Sequence, residues 1–398
     1  MTHLFVNALA ASAGGGITYI RNVLPHLARR SEIRTTCVLT RALRAELPAL
    51  PQIGFVECAV SASTGGRFLY EQRVLPELIR RHGATILLSA GNFALWRSPV
   101  PQILLSRNSI YVSEDYNRDL RKRGDYRRWI DTKIKGKLAA ASIRRAELTA
   151  APSEAFAADL RRWLGPKFAS KIVAIHHGFD LPAFESSTAC PAELAAQIEN
   201  PRHAVRLLFV SHYNYYRNFE TLLKGLPLIR KELAPRPVEL VLTCKLDDAS
   251  NPGSYWGREA AALRDQLEVQ SSVIELGAVP YTHLHHVYRT CDIYVSPAYT
   301  ETFAHPLVEA MASGLPVVAS DLAVHREICG RAANYFPRFS EAALAAEVIC
   351  LAKDGKQRAG MSQAGLARSR DFSWERHVAS LLEVAADLEQ SGSGDVKA

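Results

Sequence analysis

Glu301 and Glu309 stand eight positions apart in ETFAHPLVE, on either side of a helix start. That spacing suits a ligand with hydroxyls at two ends and a phosphate between them. Pro306 presets φ for a first helical turn, LVEAMAS continues with good helix formers, Gly314 supplies a stop and Pro316 opens the apolar run PVVAS. Glu309 then falls one turn inside the helix. Glu301 lies on the preceding loop, after the apolar run DIYVSPA. Strand, loop and helix in that order make a turn at the carboxyl edge of an open α/β sheet, where such sheets bind ligands. The amides from Ala304 to Leu307 are expected to hold the phosphate, with the glutamates on hydroxyls to either side. An isolated pair of this kind is more commonly a solvated helix, so its surroundings decide.

A second stretch, LLFVSHYNYYRNFETLLKGL, repeats the logic with a cation. Asn218 is expected to cap the helix that begins FETLL, which sets Arg217 just before free amides, where a guanidinium can hold two diphosphate oxygens. Gly14, Gly15 and Gly16 follow the first strand, and their missing side chains let a backbone approach a ligand closely. Glu71 and Arg73 in RFLYEQRVLPELI read as a solvated helix face. His283, His285 and His286 lack partners at ligand spacing and read as a polar helix face, so no metal site is expected.

The run SPAYTETFAHPLVEAMASGLPVVASDLAVHREI resembles the signature of retaining glycosyltransferases of GT-B architecture, the large family four. Pro297, Glu301, Phe303, Pro306, Glu309, Ala310, Met311, Ala312, Gly314, Pro316, Val317, Val318, Ala319 and Ser320 match its pattern. Thr302 and Ala304 depart from it, because the family usually has glycine there. KIVAIHHGFD, with His177 in place of a usual asparagine, resembles a strand and turn at the family's domain boundary. The resemblance implies that Glu309 binds ribose, that Glu301 binds the donor sugar, and that Phe303, Ala304, His305, Pro306 and Leu307 line the donor site. It also implies that Gly15 and Gly16 lie beside the donor phosphates and the acceptor. His212 and Arg217 stand where the family carries basic residues near the diphosphate, and Arg107 and Asn108 stand where many members have His-Asp or His-Asn. Arg107 reads equally well as a donor contact and as a structural ion pair.

The elements that must position these groups alternate between β and α patterns twice. THLFVNALA, TTCVLT, GFVECAV, ATILLSAG and PQILLSR read as strands of the first half, and VRLLFVS, VELVLT, SVIELG, DIYVSPA and PVVAS as strands of the second. Alternation with crossover helices implies parallel sheets. The expected fold is α/β in the GT-B architecture, two doubly wound Rossmann-like domains facing an interdomain cleft. Residues 1–184 form the acceptor-side domain, 185–202 a linker, 203–370 the nucleotide-sugar domain, 371–390 a helix packing back on the first domain and 391–398 a disordered tail.

With 398 residues, 48% hydrophobic and 22% charged, the composition is that of an ordinary globular protein of two or three domains. No apolar run reaches the roughly 18 residues a membrane-spanning helix needs. The first strand begins without a basic leader, and the seven cysteines are scattered without a C-x-x-C pair, so a cytoplasmic, reduced protein is expected. Residues 118–145 carry 11 basic and three acidic side chains, a net +8 that equals the formal charge of the whole chain. Trp129, Ile130, Ile134 and Leu138 recur among those charges at mostly helical spacing, as a helix lying on an anionic membrane requires. No nucleic-acid module accompanies them.

The inferred activity is transfer of a hexose or related sugar from a nucleoside diphosphate to a hydroxyl of a glycan or lipid-linked acceptor, with retention and without a metal or other cofactor. Glu301, Arg217 and Arg107 are the candidate catalytic groups. The leaving phosphate takes the acceptor proton. A nucleotide-sugar epimerase of related architecture and a catalytically silent sugar-nucleotide binder remain alternatives, and nucleoside diphosphate release only on addition of acceptor separates the three.

Overall fold

The structure, a computed structural model, describes residues 1–11, 15–60, 63–251, 253 and 255–394. Contacts divide the chain into two compact units. Met1–Val112, Asp125–Gly178 and the chain from Ser373 form the first; Ser113–Gly124 and Phe179–Phe372 form the second.

The first unit is built on a parallel sheet of β1 (Thr2–Asn7), β2 (Ile33–Leu39), β3 (Ile53–Glu57), β4 (Ile86–Ser89), β5 (Gln102–Leu105), β6 (Leu148–Ala151) and β7 (Ile172–Ala174). Its order is β3-β2-β1-β4-β5-β6-β7. Side chains alternate across a strand, so Leu4 and Val6 of β1 meet the Gly15–Ala28 helix and the C-terminal Trp374–Gly394 helix, while Phe5 meets Leu75 and Ile79 of the Thr64–His82 helix. Both faces are covered, which is why β1 reads as an apolar run with no polar alternation. A Cβ on Gly178 would run into the backbone of Trp374, so this position, the last of the second segment, requires glycine.

The second unit holds β8 (Val205–Phe209), β9 (Val238–Leu242), β10 (Val273–Glu275), β11 (Ile293–Ser296), β12 (Val317–Ser320) and β13 (Ala333–Phe336), in the parallel order β10-β9-β8-β11-β12-β13. The strands β6 (LTAA) and β13 (ANYF) were not expected. Their sequences lack a β-branched run, and pairing with neighbours already in the sheet makes them strands. Residues 185–202, expected as a linker, include the helix Ala192–Ile198. The buried Arg206 clasps its end, donating to the carbonyls of Ile198 and Glu199 while its Nε pairs with Glu239 at 2.8 Å. Of the tail expected from 391, residues 391–394 continue the last helix, and 395–398 lie outside the described residues.

The basic segment 118–145 is not one face. Its first part belongs to the helix Glu114–Lys122 of the second unit, and the rest forms the helix Tyr126–Arg145 of the first. Arg123 is consumed within the second unit by Asp119, Glu220 and Glu259 at 3.0, 2.8 and 2.7 Å. On the Tyr126–Arg145 helix, Tyr126, Ile130 and Ile134 are exposed together with Arg127, Lys133 and Lys137.

Candidate active site

The strand order of the second sheet turns between β8 and β11, and the loops leaving the carboxyl ends of those two strands carry Arg217 and Glu301. This is where open α/β sheets take ligands. Asn214 Oδ1 accepts the Arg217 N–H at 3.1 Å and seats the Tyr215–Arg217 turn. Asn218 was expected to cap the following helix, but its side chain makes no capping bond. It takes a left-handed backbone (φ 57°), donates from Nδ2 to the Pro297 carbonyl at 3.0 Å and accepts the Thr221 hydroxyl at 2.9 Å. The side chain thus ties one loop to the other. A second tie runs from the Tyr299 N–H to the Tyr216 carbonyl at 3.0 Å. Held this way, the Arg217 guanidinium and the Glu301 carboxylate form an ion pair, their side chains 17% and 8% exposed.

The helix His305–Ala312 begins at the end of the Glu301 loop. Ala304 sits at its N-cap with φ 64°, a left-handed conformation that explains the glycine usual in the resembling family. Thr302, the other departure, has no positive φ and so no such requirement. Two of the four amides expected to hold phosphate drop out, since Pro306 has no N–H and that of Leu307 donates to the Ala304 carbonyl at 3.0 Å. Phe303 is buried against Phe372 and the ring of His305. Glu309 is 5% exposed, and its Oε2 accepts the Tyr288 hydroxyl at 2.8 Å. Burial pushes its pKa up to about 7, partly offset by that bond.

In the first sheet the order turns between β1 and β4. Arg107 lies after β5 on the same carboxyl edge, donating to the carbonyls of Gly15 at 3.0 Å and Ala90 at 2.6 Å, with its guanidinium carbon 4.9 Å from the centre of the Tyr19 ring. A Cβ on Gly16 would meet Ala11 Cα at 3.2 Å, whereas one on Gly15 would meet nothing within 4 Å. The close approach at Gly16 is therefore made to the chain's own backbone. Gly14 lies outside the described residues.

The pattern of the glycosyl transferases group 1 matches residues 193–368, and that of glycosyltransferase family 4 matches residues 13–182. The chain belongs to the family 4, group 1 glycosyltransferases. Its relatives include the phosphatidyl-myo-inositol mannosyltransferase of Mycobacterium leprae, 27% identical over 237 residues, 58% of each chain. The O-antigen chain mannosyltransferase B of Escherichia coli is 33% identical over 100 residues, covering 25% of this chain and 26% of that one. The alignment thus spans just over half the length of the first of these relatives. Sucrose-phosphate synthase of Thermosynechococcus elongatus shares the fold at a TM-score of 0.77 and 18% identity, covering 98% of this chain and 100% of that one. The Anabaena protein HepE, solved in complex with UDP-glucose, does so at 0.72 and 17%, covering 97% and 100%. The chain has the α/β GT-B architecture.

Within the chain, Arg217, Glu301 and Glu309 gather at one strand-order turn, and Gly15, Gly16 and Arg107 at the other. His212, expected as a titratable stand-in for a family arginine, follows β8, an exposed residue between half-buried Ser211 and buried Tyr213. Crowding by surrounding atoms, then the charge of Arg217, pushes its pKa down to about 4, so it is neutral at pH 7. Sequence reasoning missed His325. Its Nδ1 donates to the Ser320 carbonyl at 2.8 Å, and its ring is buried and made less basic by burial and by Arg217. Only the turn after β12 could have signalled it. Glu71 is corrected outright: it is 4% exposed, not solvated, because it shares the i, i+4, i+8 stripe of Leu75 and Ile79. Arg73 is exposed as expected. His285 is fully buried, so that cluster is no polar face; among the described residues no three His, Cys, Asp or Glu side chains converge as metal ligands.

Proposed function

We propose that this glycosyltransferase moves a hexose or related sugar from a nucleoside diphosphate to a hydroxyl of a glycan or lipid-linked acceptor, with retention at the anomeric carbon and without a metal ion. The observation that carries the reading is the pairing of Arg217 with Glu301 where the strand order of the second sheet turns, with Glu309 buried on the helix that follows. A cation and two carboxylates at such an edge suit diphosphate, sugar hydroxyls and ribose hydroxyls respectively. Glu309 is assigned to ribose, Glu301 to the donor sugar, and Arg217 to the departing diphosphate. Phe303, Ala304 and His305 line the same helix start. The sugar's C–O bond to the diphosphate breaks, the acceptor oxygen bonds to the anomeric carbon on the same face, and the acceptor proton passes to the leaving phosphate oxygen. Arg107 is the first unit's cation for a phosphate oxygen.

The acceptor class is supported by relatives named for phosphatidyl-myo-inositol and for O-antigen chains. The exposed Tyr126, Ile130 and Ile134 beside Arg127, Lys133 and Lys137 support docking on an anionic membrane surface, and no described helix is long and apolar enough to cross a membrane. Calorimetric titration with UDP, GDP, ADP and dTDP tests the donor reading. One diphosphate should bind, its sugar conjugate should release free diphosphate only when acceptor is added, and no binding by any of the four would end the reading.

A further inference from the structure

Glu71 is a buried carboxylate that the roles above leave unused. It stands on the Thr64–His82 helix beside Arg67, whose Nε lies 3.5 Å from Oε1, and it accepts a hydrogen bond from the Asn7 side chain. Asn7 ends β1, and its carbonyl accepts the Ala90 N–H at 3.0 Å, while the Ala90 carbonyl accepts from Arg107 at 2.6 Å. Glu71 and Arg107 thus hang on adjacent residues at the carboxyl edge, at the turn of strand order between β1 and β4. Ligands bind open sheets at such turns.

Burial pushes the Glu71 pKa up to about 7, so keeping a carboxylate here works against stability near neutral pH. Packing does not require it, since the next two residues of the stripe are Leu75 and Ile79. Its Oε1 takes no hydrogen bond among the described residues. The neighbouring Gln72 donates to the Ala94 carbonyl at 3.0 Å and accepts the Trp96 N–H at 2.8 Å, which fixes the helix against the loop after β4. A rigidly mounted, incompletely bonded carboxylate at a ligand edge is a contact awaiting hydroxyl donors.

We propose that Glu71, oriented by Asn7, grips vicinal hydroxyls of a sugar or cyclitol ring, the ring of the acceptor, at the carboxyl edge of the first sheet. Its identity as the acceptor rests on the glycosyl-transfer reading above. An ionised carboxylate offers only acceptor oxygens, so it matches two O–H donors, and a ring lacking one leaves a buried charge unpaired.

Saturation-transfer NMR on the full chain with methyl α-D-mannopyranoside and with myo-inositol tests this, using the wild type, Glu71→Gln and the exposed-face control Arg73→Gln. At least one ring should give signal with the wild type and with Arg73→Gln. That signal should fall about tenfold in Glu71→Gln, the size of a lost charge-assisted hydrogen bond. If Glu71→Gln fails to fold, Glu71→Asp, which keeps the charge and shortens the reach, should lose the signal in the same way. UDP, GDP, ADP and dTDP are titrated in parallel, and the one that binds the wild type should bind every variant equally. Ring signal unchanged in the Glu71 variants, or absent from the wild type with both rings, overturns the proposal. Failure of all four diphosphates alongside a Glu71-dependent ring signal overturns the donor reading and leaves the hydroxyl site standing.

Discussion

Each unit sets an arginine and a buried glutamate at the turn of its strand order, yet the two handle charge in opposite ways. Arg217 is neutralised by Glu301, whereas Arg107 is held by the carbonyls of Gly15 and Ala90 and by the Tyr19 ring, with no carboxylate pairing it among the described residues. The second unit therefore keeps its cation compensated until a competing anion displaces the carboxylate. In the first, the positive charge stays uncompensated and the carboxylate, Glu71, stands beside Arg67 and Asn7 instead, with Oε1 taking no hydrogen bond among the described residues. The glutamates are alike where the arginines differ, since burial raises both Glu71 and Glu309 to a pKa of about 7.

Breaking the compensated pair should have the largest effect. Arg217→Ala leaves Glu301 buried without its partner, so unfolding in urea should show a loss of about 3 kcal/mol. Calorimetry should show diphosphate affinity lower by about 2 kcal/mol with nucleoside affinity almost unchanged. Glu301→Gln releases Arg217, so free diphosphate should bind as well as before or better while turnover falls. Equal loss of diphosphate affinity in both variants would refute the division of labour between them.

The shared property of the glutamates gives the next effect. Their folded pKa lies above the ordinary carboxyl value, so the native state holds more protons than the unfolded chain, and stability declines as pH rises from about 4.5 through 7. Glu309→Gln removes that decline. The variant should be more stable than wild type at pH 8, by up to about 3 kcal/mol, and no more stable near pH 4, by denaturant melts at both values. It should also bind nucleotide less well. A wild-type advantage at pH 8 would contradict the burial of this carboxylate.

A smaller effect tests the exposed face of the first unit. Replacing Ile130 and Ile134 by Ser should cut cosedimentation with anionic vesicles by about tenfold, and wild-type binding should weaken with salt. Equal recovery on neutral and anionic vesicles would remove the electrostatic claim. Within the second unit, Ala304→Gly should raise stability by about 1 kcal/mol by relieving the left-handed backbone, whereas Thr302→Gly should not. The smallest expectation is the absence of an effect. Because His212 is neutral well above pH 4, His212→Gln should leave the pH profile of diphosphate binding unchanged between about pH 5.5 and 8.5, and a flattened profile would show that it titrates there.

The second unit was more legible than the first because its chemistry is local. Glu301, Pro306, Glu309 and Gly314 lie within 14 consecutive residues, and turn chemistry and helix starts are short-range properties that a chain writes directly. In the first unit, Glu71 read as solvated because its neighbours Arg67 and Arg73 are polar, and only the stripe with Leu75 and Ile79 pointed inward. The net +8 of residues 118–145 misled for the same reason. Adjacency in sequence put Arg123 with the basic helix, while Asp119 one turn before it and two acids from distant positions, Glu220 and Glu259, claim it.

By itself the sequence determined the alternation of strands and helices, the parallel sheets, the turn and helix that carry Glu301 and Glu309, and the family, since periodicity, capping and glycine positions act over a few residues. Tertiary structure decided which strands neighbour one another, so that Arg217 meets Glu301 across 84 positions and Glu71 meets Asn7 across 64. It also decided which carboxyls lost water and so shifted toward neutrality, because desolvation depends on what packs around a group and not on what precedes or follows it in the chain.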